Sequence, residues 1–164
     1  MNYKISIILP YKEIYSENFA GAASIWVKDY VLQSKLSKET LIYGNLEKNL
    51  KPLTKNFKNL NISKNSFSKT REYMNLFYKD YLKNNFKIIE IHNRPEYLNF
   101  LIKKKVSSKL IFFFHNNPQD IRGSKTIRER LNILENTDKV FFVSAWTKKK
   151  FFENLPFKTK SNCE

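Results

Sequence analysis

Short apolar runs punctuate a chain that is otherwise lysine- and asparagine-rich. They fall at residues 3–9, 40–43, 87–91, 110–114 and 140–143, with a weaker one near 57–62. Runs of this length, bounded by glycine, proline or asparagine, read as buried parallel strands feeding a turn. Between them the apolar period lengthens to that of a helix. Gly21 opens one to about residue 36, with Ala23, Val27, Tyr30, Val31 and Ser34 on a common face. Ser66 or Ser68 caps a second, running to about residue 83 with Tyr73, Leu76, Phe77 and Tyr81 inward. Pro95 starts a third, ending near residue 105, because proline suits the first helical turn. Thr126 and Glu129 have the spacing of a capping box at the head of a fourth, residues 126–135, and a short fifth covers 145–153. The stretch 45–65, with Pro52 and few apolar residues, carries the weakest signal. Strands alternating with helices predict an α/β, Rossmann-like parallel sheet of about six strands, with helices on both faces and right-handed crossovers. No internal repeat and no linker precede residue 155, so residues 1–155 read as one domain and the polar tail 156–164 as the start of a linker.

Both histidines sit at the ends of apolar strands. Residues 87–91 lead into His92-Asn93-Arg94-Pro95, and residues 110–114 into His115-Asn116-Asn117-Pro118. In open α/β sheets ligands bind beyond the carboxyl ends of the strands, so two polar clusters at two such ends point to one cleft. An imidazole at His115 could donate or accept a proton near neutral pH, or simply bond a neighbouring loop. His92 with Arg94 could grip an anionic or polyhydroxyl group, although Arg94 could equally pair with Glu96. Residues 19–24, Phe19 followed by small residues from Ala20 to Ser24, lie between the first strand and the first helix. Free amides at a helix N-terminus attract anions there, while a tight turn explains the same residues. Residues 120–126 crowd charges and hydroxyls around Gly123 and read as an anion site or as an ordinary capped helix entry. Glu39 and Glu47 have a Glu-x7-Glu spacing, but Gly44 between them prevents one helix from aligning both. Lys148, Lys149 and Lys150 before Phe151 and Phe152 suggest a membrane patch, with the core as the alternative place for the phenylalanines. No metal-ligand spacing and no Ser-His-Asp order appear.

A length of 164 residues suits one domain able to bury its own core. The single cysteine, Cys163, rules out an internal disulfide or a cysteine metal cluster and suits a reducing compartment. The N-terminal apolar run is too short for a signal h-region or a membrane span, so a cytoplasmic protein is expected. A net charge of +15 invites a nucleic-acid reading. Yet the basic residues are overwhelmingly lysine, whereas bidentate phosphate and base recognition favours arginine. The joint excess of Lys, Asn, Ile and Phe is what an AT-rich genome produces, and no nucleic acid is expected as a partner. Attraction to anionic lipid headgroups, at about 1 kcal/mol per lysine near the surface, leaves peripheral contact with the inner face of the cell membrane open.

Taken together, several blocks resemble the N-terminal, acceptor-side domain of retaining GT-B-fold glycosyltransferases, the large family 4-like group typified by bacterial glycan and lipopolysaccharide enzymes. They are residues 19–23, 90–95, 113–118, 122–126 and 140–146, in the family's order across nearly the whole chain. The resemblance implies that Gly21 and Ala22 lie near the donor diphosphate, although the family often has two glycines where this chain has Ala20-Gly21-Ala22. It implies that His115 is the catalytic histidine on the acceptor side. His92, Asn93 and Arg94 would form the acceptor-facing rim, with Asn116, Arg122, Ser124 and Lys125 bordering the cleft. A second Rossmann-like domain would bind the nucleotide sugar and carry a Glu-x7-Glu pair. This chain stops at Glu164, about where the crossing into that domain begins, so the missing C-terminal donor-binding domain is an expected partner and the chain alone is expected to be inactive. The implied substrates are a nucleotide-sugar donor and a glycan or lipid-linked acceptor, with no metal and no other cofactor. The rival readings are a non-catalytic truncated or docking module, and a basic membrane-surface or nucleic-acid binder.

Overall fold

The computed structural model describes residues 3–63, 65–157 and 161–164. Its strands are β1 (Ile5–Ile8), β2 (Thr40–Gly44), β3 (Phe57–Asn59), β4 (Ile88–His92), β5 (Lys109–Phe114) and β6 (Lys139–Phe142). The helices are α1 (Ala22–Gln33), α2 (Lys69–Tyr81), α3 (Pro95–Lys103), α4 (Ile127–Glu135) and α5 (Ala145–Phe152). The strands form one all-parallel sheet in the order β3-β2-β1-β4-β5-β6. The expected α/β Rossmann-like fold is thus observed. By packing, the chain divides into two compact units, Met1–Ile88 and Ile89–Glu164.

In the first unit β1 pairs with β2 from Ile5↔Thr40 to Ile8↔Tyr43, and β2 with β3 from Ile42↔Phe57. Ile7, Leu9, Tyr15, Val27, Val31 and Ile42 form its buried cluster, with Trp26, Leu53 and Phe57 packed against it. Full burial of each aliphatic side chain is worth about 1.5–3 kcal/mol, so this cluster outweighs any local propensity. Helix α1 buries Ala23, Ser24, Val27 and Val31, one stripe at helical spacing. Tyr30, expected on that face, is instead 40% exposed and stacks on Trp26. The helix also stops short of residue 36: Ser34 turns extended, and a 3-10 turn at Ser37–Glu39 follows. Ser68 caps α2 by accepting from the Arg71 backbone N–H, and Met74 takes the buried place expected of Leu76. The Tyr73 hydroxyl donates to the Leu9 carbonyl at 3.0 Å and so ties α2 to the end of β1.

The second unit is held by phenylalanines. Parallel register sets Phe113 beside Phe141 and Phe114 beside Phe142, with ring centroids 4.9 and 5.7 Å apart. From α5, Phe151 packs on Phe114 and Phe142, and both Phe151 and Phe152 are buried. The Lys-Lys-Lys-Phe-Phe patch is therefore a core segment with lysines on its outer side. The predicted capping box of α4 is present, Thr126 and Glu129 bonding each other's backbone N–H. Within the tail expected as a linker, residues 162–164 pair along β6. The Val140 N–H donates to the Asn162 carbonyl at 2.8 Å, and the Glu164 N–H to the Val140 carbonyl at 3.0 Å. Among the described residues no helix is long and apolar enough to cross a membrane.

Candidate functional site

In the second unit the polar cluster begins inside β4. His92 is the last residue of that strand, one position further than the apolar run predicted, and is fully buried. The chain then turns sharply at Asn93, which adopts a left-handed φ of 52°. Asparagine tolerates this region better than other non-glycine residues. The turn makes Asn93 a clamp: its N–H donates to the Phe113 carbonyl at 2.9 Å, and its Oδ1 accepts from the His115 N–H at 2.8 Å. Its amide also reaches Asn116 Oδ1 at 3.5 Å. Pro95 then starts α3, as its fixed φ predicts. The end of β5 is thereby locked to the end of β4, which sets the two imidazoles edge to edge.

The His92 ring stacks on Phe113, centroids 4.7 Å apart and planes within 4°, and lies 5.0 Å from the His115 ring with the two planes 22° apart. His92 Nδ1 and His115 Nε2 are 2.8 Å apart, a hydrogen bond in which one ring donates and the other accepts. On the far side His92 Nε2 faces Glu90 Oε2 at 3.9 Å, and Glu90 is itself only 3% exposed. Two tautomer pairs fit this contact; in one of them His92 carries its proton on Nε2, toward the Glu90 side chain, and His115 Nε2–H donates to His92 Nδ1. In that pair His115 Nδ1 carries no proton. Burial pushes the pKa of His92 down to about 3. The His115 pKa is also about 3, lowered by burial first and by His92 second. The pair is therefore neutral throughout the physiological range. An imidazole held so far below neutrality is a weak base but a good hydrogen-bond acceptor, and so suits orienting a hydroxyl better than removing its proton.

The other expected site residues divide into two groups. Asn116 and Lys125 are exposed and Arg94 is half-buried, its guanidinium donating to the Asn93 carbonyl at 3.3 Å. Arg122, rather than Arg94, pairs with Glu96, at 3.3 Å. Ser124 is fully buried and its hydroxyl donates to the Pro118 carbonyl at 2.6 Å, so it holds the loop's shape and has no face toward a ligand. His92 and Asn93 likewise lie beneath the surface, so His92 reaches a ligand only through His115 and neither forms a rim. Gly123 has φ +88°, and a Cβ there would meet Pro95 Cβ at 3.0 Å. The loop is completed by the buried Arg130, whose guanidinium donates to the Lys125 and Glu153 carbonyls, both at 2.8 Å. Sequence reasoning passed over Arg130 and Glu90. Glu90 had a signal, a lone charge inside the apolar run of β4.

In the first unit Gly21 is the N-cap of α1, a residue with no side chain to cap the helix amides. Glu13 lies against it: a Cβ on Gly21 would come within 2.9 Å of the Glu13 carboxyl carbon. The protein's own carboxylate thus stands at the end of α1 where Gly21 and Ala22 were expected to meet a phosphate. An incoming anion must displace it or bear its repulsion. Among the described residues no group of three His, Cys, Asp or Glu side chains is placed to hold a metal ion.

No family model matches the chain, and no curated protein matches it by sequence. Among solved structures, the sucrose-phosphate synthase of Thermosynechococcus elongatus matches with a TM-score of 0.65 and 12% identity. The match covers 99% of this chain and 47% of that one. The likeness is one of fold. The chain therefore spans about half the length of the synthase and shares its layout of strands and helices from end to end.

Proposed function

We propose that this chain is the acceptor-side half of a sugar transferase, and that His115 orients the acceptor hydroxyl. The observation that carries the reading is the chain of buried groups from Glu90 through His92 to His115 at the carboxyl end of its strands. Its support is threefold: the blocks resembling retaining glycosyltransferases, the fold shared with a sucrose-phosphate synthase, and a hydrogen-bonded imidazole pair held neutral by burial. Glu90 and His92 are positioning residues, fixing the tautomer and tilt of His115. Asn116, Arg94 and Lys125 supply polar groups around it for a glycan or lipid-linked acceptor. The donor would be a nucleotide sugar whose diphosphate meets the first amides of α1, at Gly21 and Ala22, after Glu13 swings away. A donor-binding domain would bring the nucleotide, and no metal is called for in this reading.

The test is sugar transfer by the chain joined to a donor-binding half, with radiolabelled nucleotide sugars and a lipid and glycan extract as acceptors. A hydroxyl oriented by one neutral hydrogen bond is worth about 0.5–1.5 kcal/mol, so His115→Ala lowers turnover about two- to tenfold. A general base would cost about 10²–10⁴-fold. Unchanged turnover in His115→Ala would remove the role given to this residue, and a loss of about a hundredfold or more would replace orientation by proton transfer.

A further inference from the structure

The first unit contains a second concavity, at the opposite end of its strands from the turn that leads to Gly21. A cavity of about 860 Å³ opens beside the segments that enter β1, β2 and β3. Its walls are apolar, formed by Tyr3, Val31, Leu32 and Leu53. That volume lies within the ~300–1,000 Å³ of small-molecule sites. Leu32 is 61% exposed at its mouth, where the helix face has no core reason to carry leucine. Three exposed lysines, Lys38, Lys51 and Lys55, stand around it. Among the described residues none of the three forms an ion pair, whereas Lys4, Lys28 and Lys58 of the same unit each have an acidic partner.

Two polar side chains lining this cavity, Asn56 and Thr54, are already engaged with the protein. The Asn56 amide donates to the Ser37 and Thr40 carbonyls at 3.1 and 2.7 Å. Thr54 Oγ1 lies 3.3 Å from the Tyr15 hydroxyl. A sugar or a nucleobase placed here would leave its own donors and acceptors unmatched against apolar walls, at a cost of about 1–3 kcal/mol for each group. A hydrocarbon chain meets no such penalty, and lysine ammonium groups at the mouth attract a compact anion as point charges.

We propose that the first unit binds the hydrocarbon chain of an anionic amphiphile in this cavity, with the carboxylate or phosphate head held by Lys38, Lys51 and Lys55. The inference is independent of the sugar-transfer reading and of the histidine pair. The same chemistry is offered by a monomeric fatty acid and by a phospholipid in a bilayer; the size and walls of the cavity favour the monomer.

The test measures binding of the whole chain to dansylaminoundecanoic acid, by fluorescence and below its critical micelle concentration. Myristate serves as competitor, tetradecanol as an uncharged control, and vesicles with or without anionic phospholipid provide the bilayer arm. Saturable one-to-one binding, displaced by myristate at least tenfold better than by tetradecanol, is expected. The triple variant Lys38→Glu, Lys51→Glu, Lys55→Glu should weaken it tenfold or more, as should Leu32→Glu. Reversing Lys69, Lys79 and Lys83, exposed lysines of α2 and its end, changes net charge equally and should leave it intact. All these positions are on the surface, and circular dichroism confirms folding. The proposal is overturned by any of four results: no saturable binding, equal weakening by both triple variants, equal displacement by tetradecanol, or binding to anionic vesicles alone.

Discussion

Lowering the pH is the perturbation to which the histidine pair responds most directly. Burial holds both imidazoles at a pKa near 3 in the folded chain, against an ordinary value of 6.5. The unfolded chain therefore takes up protons below about pH 7 that the folded pair excludes, and stability falls as pH falls, continuing until the folded pKa is reached. Between pH 7.5 and 5.5 each excluded proton costs about 1.4 kcal/mol, so the pair costs up to about 2.7 kcal/mol. The chain has only two histidines, both in this pair, so no other imidazole contributes. His92→Phe keeps an aromatic ring against Phe113 and removes one titrating site. It lowers stability at pH 7.5 by about 1–3 kcal/mol, because His115 loses its partner, but it should remove half or more of the imidazole share of the acid loss. The assay is urea unfolding followed by circular dichroism at half-unit pH steps, wild type minus variant, in which carboxylate contributions cancel. Parallel pH curves for the two proteins would refute the reasoning, as would a wild type that gains stability on acidification relative to His92→Phe.

Two further outcomes follow from the loops. Gly123→Ala forces a side chain into a left-handed φ of 88° and against Pro95, so it should cost about 1–3 kcal/mol in urea unfolding, and a neutral result would mean the loop relaxes freely. Glu13→Gln removes the carboxylate beside Gly21, so inorganic pyrophosphate should bind the variant at least tenfold more tightly than the wild type in titration calorimetry; equal affinities would exclude the end of α1 as its site.

Most of the scaffold was legible because its signals are local. Apolar runs stopped by proline, glycine or asparagine marked the strands, and the Thr126–Glu129 box and Pro95 marked helix starts within a residue. What the sequence hid was decided by tertiary packing. Periodicity cannot say which neighbouring residue a helix buries, so Met74 replaced Leu76 and Tyr30 turned outward to stack on Trp26. The site was half legible. The placing of His115 just past β5 was read correctly, but His92 was expected on the surface and lies within β4, because a polar residue can end a strand from inside when another side chain satisfies it. Ser124 looked like a ligand group and is a loop brace, and Arg122 took the Glu96 partner considered for Arg94. Each of these depends on contacts between residues far apart in the chain or across a turn, where spacing carries no information. Glu13 is the clearest case, since nothing in the order of residues 13–21 announces that the carboxylate folds back onto the helix start.

The proposed role of His115 requires a neutral imidazole pair in which His115 Nε2–H donates to His92 Nδ1. Long-range proton–nitrogen correlation of the two imidazoles at pH 7 reads this directly. Both rings are expected to be neutral, each with its proton on Nε2, and His115 Nδ1 bare. An imidazolium at either position, or a proton on His115 Nδ1, would contradict it.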